Sequence, residues 1–218
     1  MKILIFGANG KMGQEMQKYL SKIGENFVCI DKNNRNLLSF QKVDVIIDFS
    51  SKDALKENLM YAQNSKTPIV IATTGHTKEN LASIKKASKN IAILLSSNFS
   101  LMFNFLNVIL KNVKMFSSCD FVLQETHHKQ KKDSPSGSAK MLIKTLKIQN
   151  IRPKVVSFRL GNFVGEHKVQ IVDDYENLTF SHSVLSRQVF CHGGYIACKF
   201  VKDKNSGLYS MENVFDSL

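Results

Sequence analysis

No apolar run in the 218 residues approaches the roughly 20 needed to cross a bilayer. The four apolar residues between Lys2 and Gly7 are too few for the core of a signal peptide. A cytoplasmic protein with no membrane partner is expected. Cysteine is sparse: Cys29, Cys119, Cys191 and Cys198 show no C-x-x-C spacing, which argues against a zinc site or a disulfide framework and for reduced, packed thiols. Arginine is scarcer still relative to its partner, with 4 Arg against 26 Lys. A net charge of +12 would suit a polyanion. Nucleic-acid recognition, however, draws on the arginine fork and on aromatics interleaved in a basic stripe, and neither is present. The scattered lysines are read as solvated surface, with no nucleic-acid partner. Internal repeats and low-complexity tracts are absent.

What is there is a chain with 43% hydrophobic residues, enough for a sizeable core. Residues 2–6 (KILIF) form a short apolar run rich in β-formers that breaks at Gly7, and helical spacing resumes from Met12 through Met16 and Leu20. Further apolar runs at 27–30, 43–49, 68–72 and 91–95 read as strands, with helix-like segments at 52–63 and 77–88 between the later ones. Strands that are apolar throughout and alternate with helices predict a parallel sheet covered on both faces. After Asn98 the pattern changes: a helix over 102–115, a strand near 121–125, a helix over 136–148, then three closely spaced strand-like runs from 155 to 185 and a helix over 188–201. The expected fold class is α/β: a Rossmann-like nucleotide-binding domain at 1–98, then a smaller α+β domain with a mixed or antiparallel sheet at 99–204.

The first strand runs into GANGKMG, which sets Gly7, Ala8, Asn9, Gly10, Lys11, Met12 and Gly13 between strand and helix. Glycines there permit a tight turn, close approach of backbone to a pyrophosphate and close helix packing, while the helix N-terminus supplies N–H donors. The second strand ends just before Asp31, where a carboxylate can accept bonds from ribose hydroxyls, and Lys32 follows as a cation for a 2′-phosphate. Dinucleotide binding, with NADH or NADPH, is the expectation. Two later strand ends, at Ala72, Thr73 and Thr74 and at Ser96, Ser97, Asn98 and Phe99, are suited to the nicotinamide and its ribose.

A second constellation lies in ETHHKQKKDSPSGSA, residues 125–139. His127 or His128 can carry a proton near neutral pH, and Lys131 can donate one. The Pro-Ser-Gly turn offers hydroxyls and free N–H groups at a helix start, an anion site as fit for a carboxylate as for a phosphate. His127 and His128 without a third convergent ligand make a poor metal site, so no metal is expected.

This stretch resembles the signature of the dihydrodipicolinate reductase family, E-x-H-H-x-x-K-x-D-x-P-S-G-[ST]-A, at Glu125, His127, His128, Lys131, Asp133, Pro135, Ser136, Gly137, Ser138 and Ala139. The glycine turn at 7–13, D-F-S at 48–50, T-T-G at 73–75, N-F-S at 98–100 and segments at 159–169, 182–194 and 207–214 are similar to family segments in the same order. The resemblance implies an enzyme of diaminopimelate and lysine biosynthesis that reduces a cyclic dicarboxylate with NADH or NADPH. It implies Lys131 as proton donor with His127 beside it, and His128, Lys131, Ser136, Gly137 and Ser138 as the grip on the substrate carboxylates. It also implies a homotetramer and a return of residues 205–218 to the first domain. Domain closure would use hinges near 98–100 and 202–206. The chain is short for the family: only a dozen residues separate Asp31 from Val43, where relatives carry an extra strand. Two rivals share the nucleotide half: another two-domain NAD(P)-dependent oxidoreductase, and a non-catalytic dinucleotide-binding relative.

Overall fold

The computed structural model describes residues 1–36 and 42–217. It divides into two compact units, one of residues 1–99 with 188–218 and one of residues 100–187.

In the first unit, β1 (Lys2–Phe6), β2 (Asn26–Ile30), β3 (Val45–Asp48), β4 (Ile69–Ile71), β5 (Ala92–Leu95) and β10 (Gly207–Tyr209) form one parallel sheet in the order β10-β5-β4-β3-β1-β2. Apart from Lys2 and Asp48 at strand ends, its inner strands are apolar because both faces are covered. Leu4, Phe6, Ile46, Ile69, Ile71 and Ile93 pack on one face with Leu55 and Leu59 of α2 (Leu55–Asn64) and Ile84 of α3 (Lys78–Ala87). On the other lie α1 (Lys11–Lys22), buried through Gly13, Met16 and Leu20, and α6 (Gln188–Lys202). The shortened stretch after Asp31 falls partly on residues 37–41, outside those described.

The second unit carries β6 (Asp120–His127), β7 (Lys154–Arg159), β8 (Glu166–Val172) and β9 (Asn177–Ser183) in the order β7-β6-β8-β9. β7 lies parallel to β6, and β8 runs antiparallel to both β6 and β9, a mixed sheet. Alternate residues of β6 and β8 are buried against α4 (Leu101–Ile109) and α5 (Gly137–Ile148), with Phe103, Leu106, Leu123, Leu142, Leu146 and Val169 in the core.

Two expectations are corrected. The helix expected over 102–115 ends at Ile109 and gives way to 3-10 turns at Leu110–Asn112 and Lys114–Phe116. Leu110 and Val113 are buried three residues apart, the period of the tighter helix. The second boundary between units falls at 187–188, not at 202–206, so α6 belongs to the first unit. The cause is a run of small residues: a Cβ on Gly193 would lie 1.7 Å from the Phe99 carbonyl oxygen, and one on Gly194 would lie 3.0 Å from Ile47 Cδ1. Only glycine lets the helix backbone come that close to the sheet. The C-terminal residues add β10 beside β5 and α7 (Met211–Phe215).

Candidate active site

In the first sheet the strand order turns back between β1 and β3, and such a switch point opens a crevice beyond the strands' carboxyl ends. A cleft of about 420 Å³ lies there, lined by Gly7, Asn9, Gly10, Asp31, Lys32 and Arg35 among others. A second, of about 470 Å³, shares Phe49, Ser50 and Ser51 with it and reaches Met12, Thr73 and Thr74. Gly7 has φ +75, and a Cβ there would meet the Ser50 backbone at 2.7 Å; one on Gly13 would meet the Gly7 carbonyl oxygen at 2.3 Å. The turn is therefore closed to side chains where the cleft begins. Helix α1 starts at Gly10 with no side-chain cap and no acidic residue in its first turn, which leaves its N–H donors and positive dipole end for an anion.

The Asp31 carboxylate accepts from Asn9 Nδ2 and, at 2.7 Å, from the Asn33 N–H. Arg35, which sequence reasoning missed, is held by Asn58 Oδ1 at 2.6 Å and Glu57 at 3.2 Å, with its guanidinium 5.5 Å from the Phe6 ring centroid. Its signal was a rare arginine four residues past Asp31. Behind Ser50, Asp48 is fully buried: burial pushes its carboxyl up, against donors from Ser50 and Asn58. His76 is half-buried, and its Nε2 lies 3.0 Å from the Thr73 carbonyl and 3.2 Å from Thr73 Oγ1, so it ties the T-T-G turn together. Ala8 is buried, Lys11 is exposed at the helix start, and Ser96, Ser97, Asn98 and Phe99 line neither cleft. Their turn is closed by Ser96 Oγ on the Asn98 carbonyl at 2.8 Å.

The second unit's site grows from the pleat of β6. Phe121, Leu123, Glu125 and His127 all face its buried side, so the apolar rows of the sheet turn polar toward the end of the strand. Glu125 pairs across the sheet with Ser157 on one side and His167 on the other, and His167 pairs with His182. Glu125 has no exposed surface; Arg159 Nη2 lies 2.8 Å from its Oε1, and Oε2 lies against His127 Nδ1. Burial pushes the Glu125 carboxyl up, but hydrogen bonds from Arg159 and Ser157 outweigh it and hold the group below the usual carboxylate range. Burial pulls His127 below the ordinary histidine range, with Glu125 opposing and Lys131 adding to the fall.

Beyond β6 the chain makes the loop expected from its sequence. Lys131 Nζ pairs with Asp133 at 2.8 Å, Arg159 also donates to the Asp133 carbonyl at 2.6 Å, and the Ser134–Pro135 peptide is cis. Ser136 caps α5, its Oγ accepting the Ala139 N–H at 3.1 Å, and no acidic residue stands in that helix's first turn. Ser136, Gly137 and Ser138 open that helix, Asp133 joins the Gly137 N–H to Lys131 Nζ, and half-buried His128 stands at the loop's entry. The third group absent from the sequence reading of a metal site is supplied around His127, not His128: Glu125, His127 and His167 each bring a donor atom within 4.8 Å of the others. Arg159 on Glu125 and the nearby Lys131 charge weigh against a cation there. Arg159 and His167 escaped sequence reasoning, and Glu125 entered it only as part of the signature, without a role; their signal was a charged or imidazole side chain at a core-facing position of a strand.

Residues 19–99 match the family model described as dihydrodipicolinate reductase, N-terminus, and residues 100–215 match the model for its C-terminus. The 4-hydroxy-tetrahydrodipicolinate reductase of Clostridium novyi is 33% identical over 99% of this chain and 98% of the relative. That of Bdellovibrio bacteriovorus is 36% identical over 98% and 96%. Among solved structures, a dipicolinate-bound dihydrodipicolinate reductase from Paenisporosarcina sp. TG-14 superposes with a TM-score of 0.82 at 21% identity, covering 98% of each chain. A myo-inositol dehydrogenase from Corynebacterium glutamicum reaches 0.61 at 10% identity, covering 100% of this chain and 93% of that one. The fold is thus shared at low sequence identity, and the chain belongs to the dihydrodipicolinate reductase family.

Proposed function

We propose that this chain is an NAD(P)H-dependent 4-hydroxy-tetrahydrodipicolinate reductase, acting in the diaminopimelate and lysine pathway. The observation that carries the reading is the loop after β6, where cations, a helix N-terminus and a buried imidazole gather on one polar edge of a sheet. Such an edge suits a dianion that must also receive a proton. The switch-point clefts of the first unit fit a dinucleotide: Gly7, Gly10 and Met12 would hold the pyrophosphate side, Asp31, Lys32 and Arg35 the adenosine end, Thr73 and Thr74 the nicotinamide side. When bound, the reduced nicotinamide supplies a hydride. In the second unit Ser136, Gly137 and Ser138 present N–H and hydroxyl donors to a carboxylate, with His128 and Lys131 adding charge. Lys131, held by Asp133, gives the proton to the carbon that needs one. His127, kept neutral and oriented by Glu125, serves as the second catalytic group. Donors set in place before reaction stabilise charge as it develops without reorganising.

The test follows nicotinamide absorbance with NADH and then NADPH, the substrate being generated in place from pyruvate and aspartate semialdehyde. Wild type oxidises cofactor in a substrate-dependent way, and Lys131→Ala loses about 10²–10⁴-fold while still binding it. A folded wild type that binds cofactor and oxidises none would leave another oxidoreductase or a non-catalytic relative.

A homotetramer is proposed as the working form. Val156 and Phe158, 41% and 42% exposed on the outer face of the second sheet, support an interface there. Phe158→Lys is expected to dissociate it in light scattering; an unchanged mass would exclude that face. We place the enzyme in the cytoplasm: among the described residues no helix is long and apolar enough to cross a membrane, and the four cysteines are free. Cell fractionation checks this.

A further inference from the structure

Two N-cap serines of the second unit make the same contact. Ser136 Oγ accepts the Ala139 N–H at 3.1 Å and lies 3.3 Å from His167 Nε2; Ser100 Oγ accepts the Phe103 N–H at 3.2 Å and lies 3.1 Å from His182 Nε2. Each hydroxyl thus joins a helix start to an imidazole on the sheet. His167 is the inner of the two. It is 2% exposed, its ring stands edge-on to His127 with centroids 5.3 Å apart and edge-on to Phe103 at the same separation, and it pairs across the strands with Glu125.

We propose that His167 is a positioning residue for the reduction: it aims the Ser136 hydroxyl and braces the His127 ring, so that the start of α5 and the imidazole meet the dicarboxylate in one fixed arrangement. This rests on the assignment of Ser136 and His127 to the substrate site. With the Ala139 N–H on one lone pair of its oxygen and the Nε2–H of a neutral His167 on the other, the Ser136 hydroxyl keeps its own hydrogen for a carboxylate. Burial, with His127 and His182 adding, pulls His167 down to about 3 and keeps the ring uncharged through the neutral range. The bracing of His127 is tight on its far side too. A Cβ on Gly165 would lie 3.1 Å from His127 Nε2, so the imidazole is confined between the β8 entry, His167 and Glu125.

The test compares His167→Gln, His167→Asn and His167→Leu with Ser136→Ala and the double variant His167→Leu/Ser136→Ala. Measured for each are kcat, KM for the dicarboxylate, and the NADPH dissociation constant. Glutamine places an amide N–H at the Nε2 position and can give it to the Ser136 oxygen; asparagine reaches only the Nδ1 position. KM is expected to rise about tenfold in His167→Leu and His167→Asn, the worth of one hydrogen bond. His167→Gln should stay within about threefold of wild type, and the double variant should be no worse than the worse single, the sign of a shared interaction. NADPH binding should be unchanged. Equal losses in the glutamine and asparagine variants, or losses that multiply in the double, would overturn the proposal, and the glutamine–asparagine pair decides the matter even if the leucine variant does not fold. A wild type with no activity, or Ser136→Ala with wild-type KM, is a different failure: it removes the site assignment itself.

Discussion

Glu125 is the residue on which the second unit's chemistry turns. A carboxylate with no exposed surface is tolerated only when paired, and Arg159 at 2.8 Å supplies the charge while also holding the Asp133 carbonyl of the loop. Arg159→Met should cost about 3 kcal/mol in urea denaturation, because it strands a buried charge; a loss under about 1 kcal/mol, that of an exposed pair, would contradict this. The buried histidines set a pH dependence. Burial holds His167 at about 3 and lowers His127 and His182 as well, so between about pH 6.5 and the folded values the unfolded chain binds more protons than the folded one. Stability is therefore full above about pH 6.5 and falls as pH drops, by about 1.4 kcal/mol per unit for His167, levelling near pH 3. Glu125 and Asp133, both depressed, add a further loss as pH falls below about 4.5. Urea midpoints at pH 7, 6 and 5 should show the slope, and His167→Gln should flatten it; identical slopes would place His167 outside the titration.

At the scale of elements, the glycine turn and the α6 helix depend on close backbone approach, and each yields an expectation. Gly193→Ala forces a Cβ to 1.7 Å from the Phe99 carbonyl oxygen and should lower stability by more than about 3 kcal/mol, measured by thermal or urea unfolding. In the first cleft Lys32 and Arg35 face a carboxylate already engaged by Asn9 and Asn33. Arg35→Ala should raise KM for NADPH about tenfold or more and leave KM for NADH within about threefold, since a 2′-phosphate draws charge-assisted bonds that a hydroxyl does not. Equal effects on both cofactors would make Arg35 a scaffold for Glu57 and Asn58 alone. Element types were legible where burial is simple: β1, β3, β4 and β5 are apolar runs broken only by Lys2 and Asp48 at strand ends, and the Ser136 cap stands just before α5. The end of α4 was not, because the choice between continuing the helix and tightening to 3-10 turns is made by the fit of Leu110 and Val113 into the core of the second unit.

At the scale of the whole molecule the chain leaves its first unit after Phe99 and returns to it at Gln188. Ligands should respect that division. In hydrogen exchange, NADPH alone is expected to protect segments of residues 1–99, and pyridine-2,6-dicarboxylate alone the loop at 127–138, since a bound state resists opening in proportion to occupancy. The reverse assignment would overturn the division of labour. By itself the sequence determined the period of most strands and helices (though not of the turns after Ile109, β10 or α7), the parallel character of the first sheet, the glycine turn with its acidic partner, and the loop from His127 to Ser138, because those properties reside in residues close together along the chain. Only the tertiary structure decided that α6 packs with the first sheet, that Asn58 and Glu57 hold Arg35 at the cleft, and that Arg159, His167 and His182 gather around Glu125 and His127. Those pairings come from strand register and helix docking between residues tens of positions apart, where burial of one face selects among partners that no local pattern distinguishes.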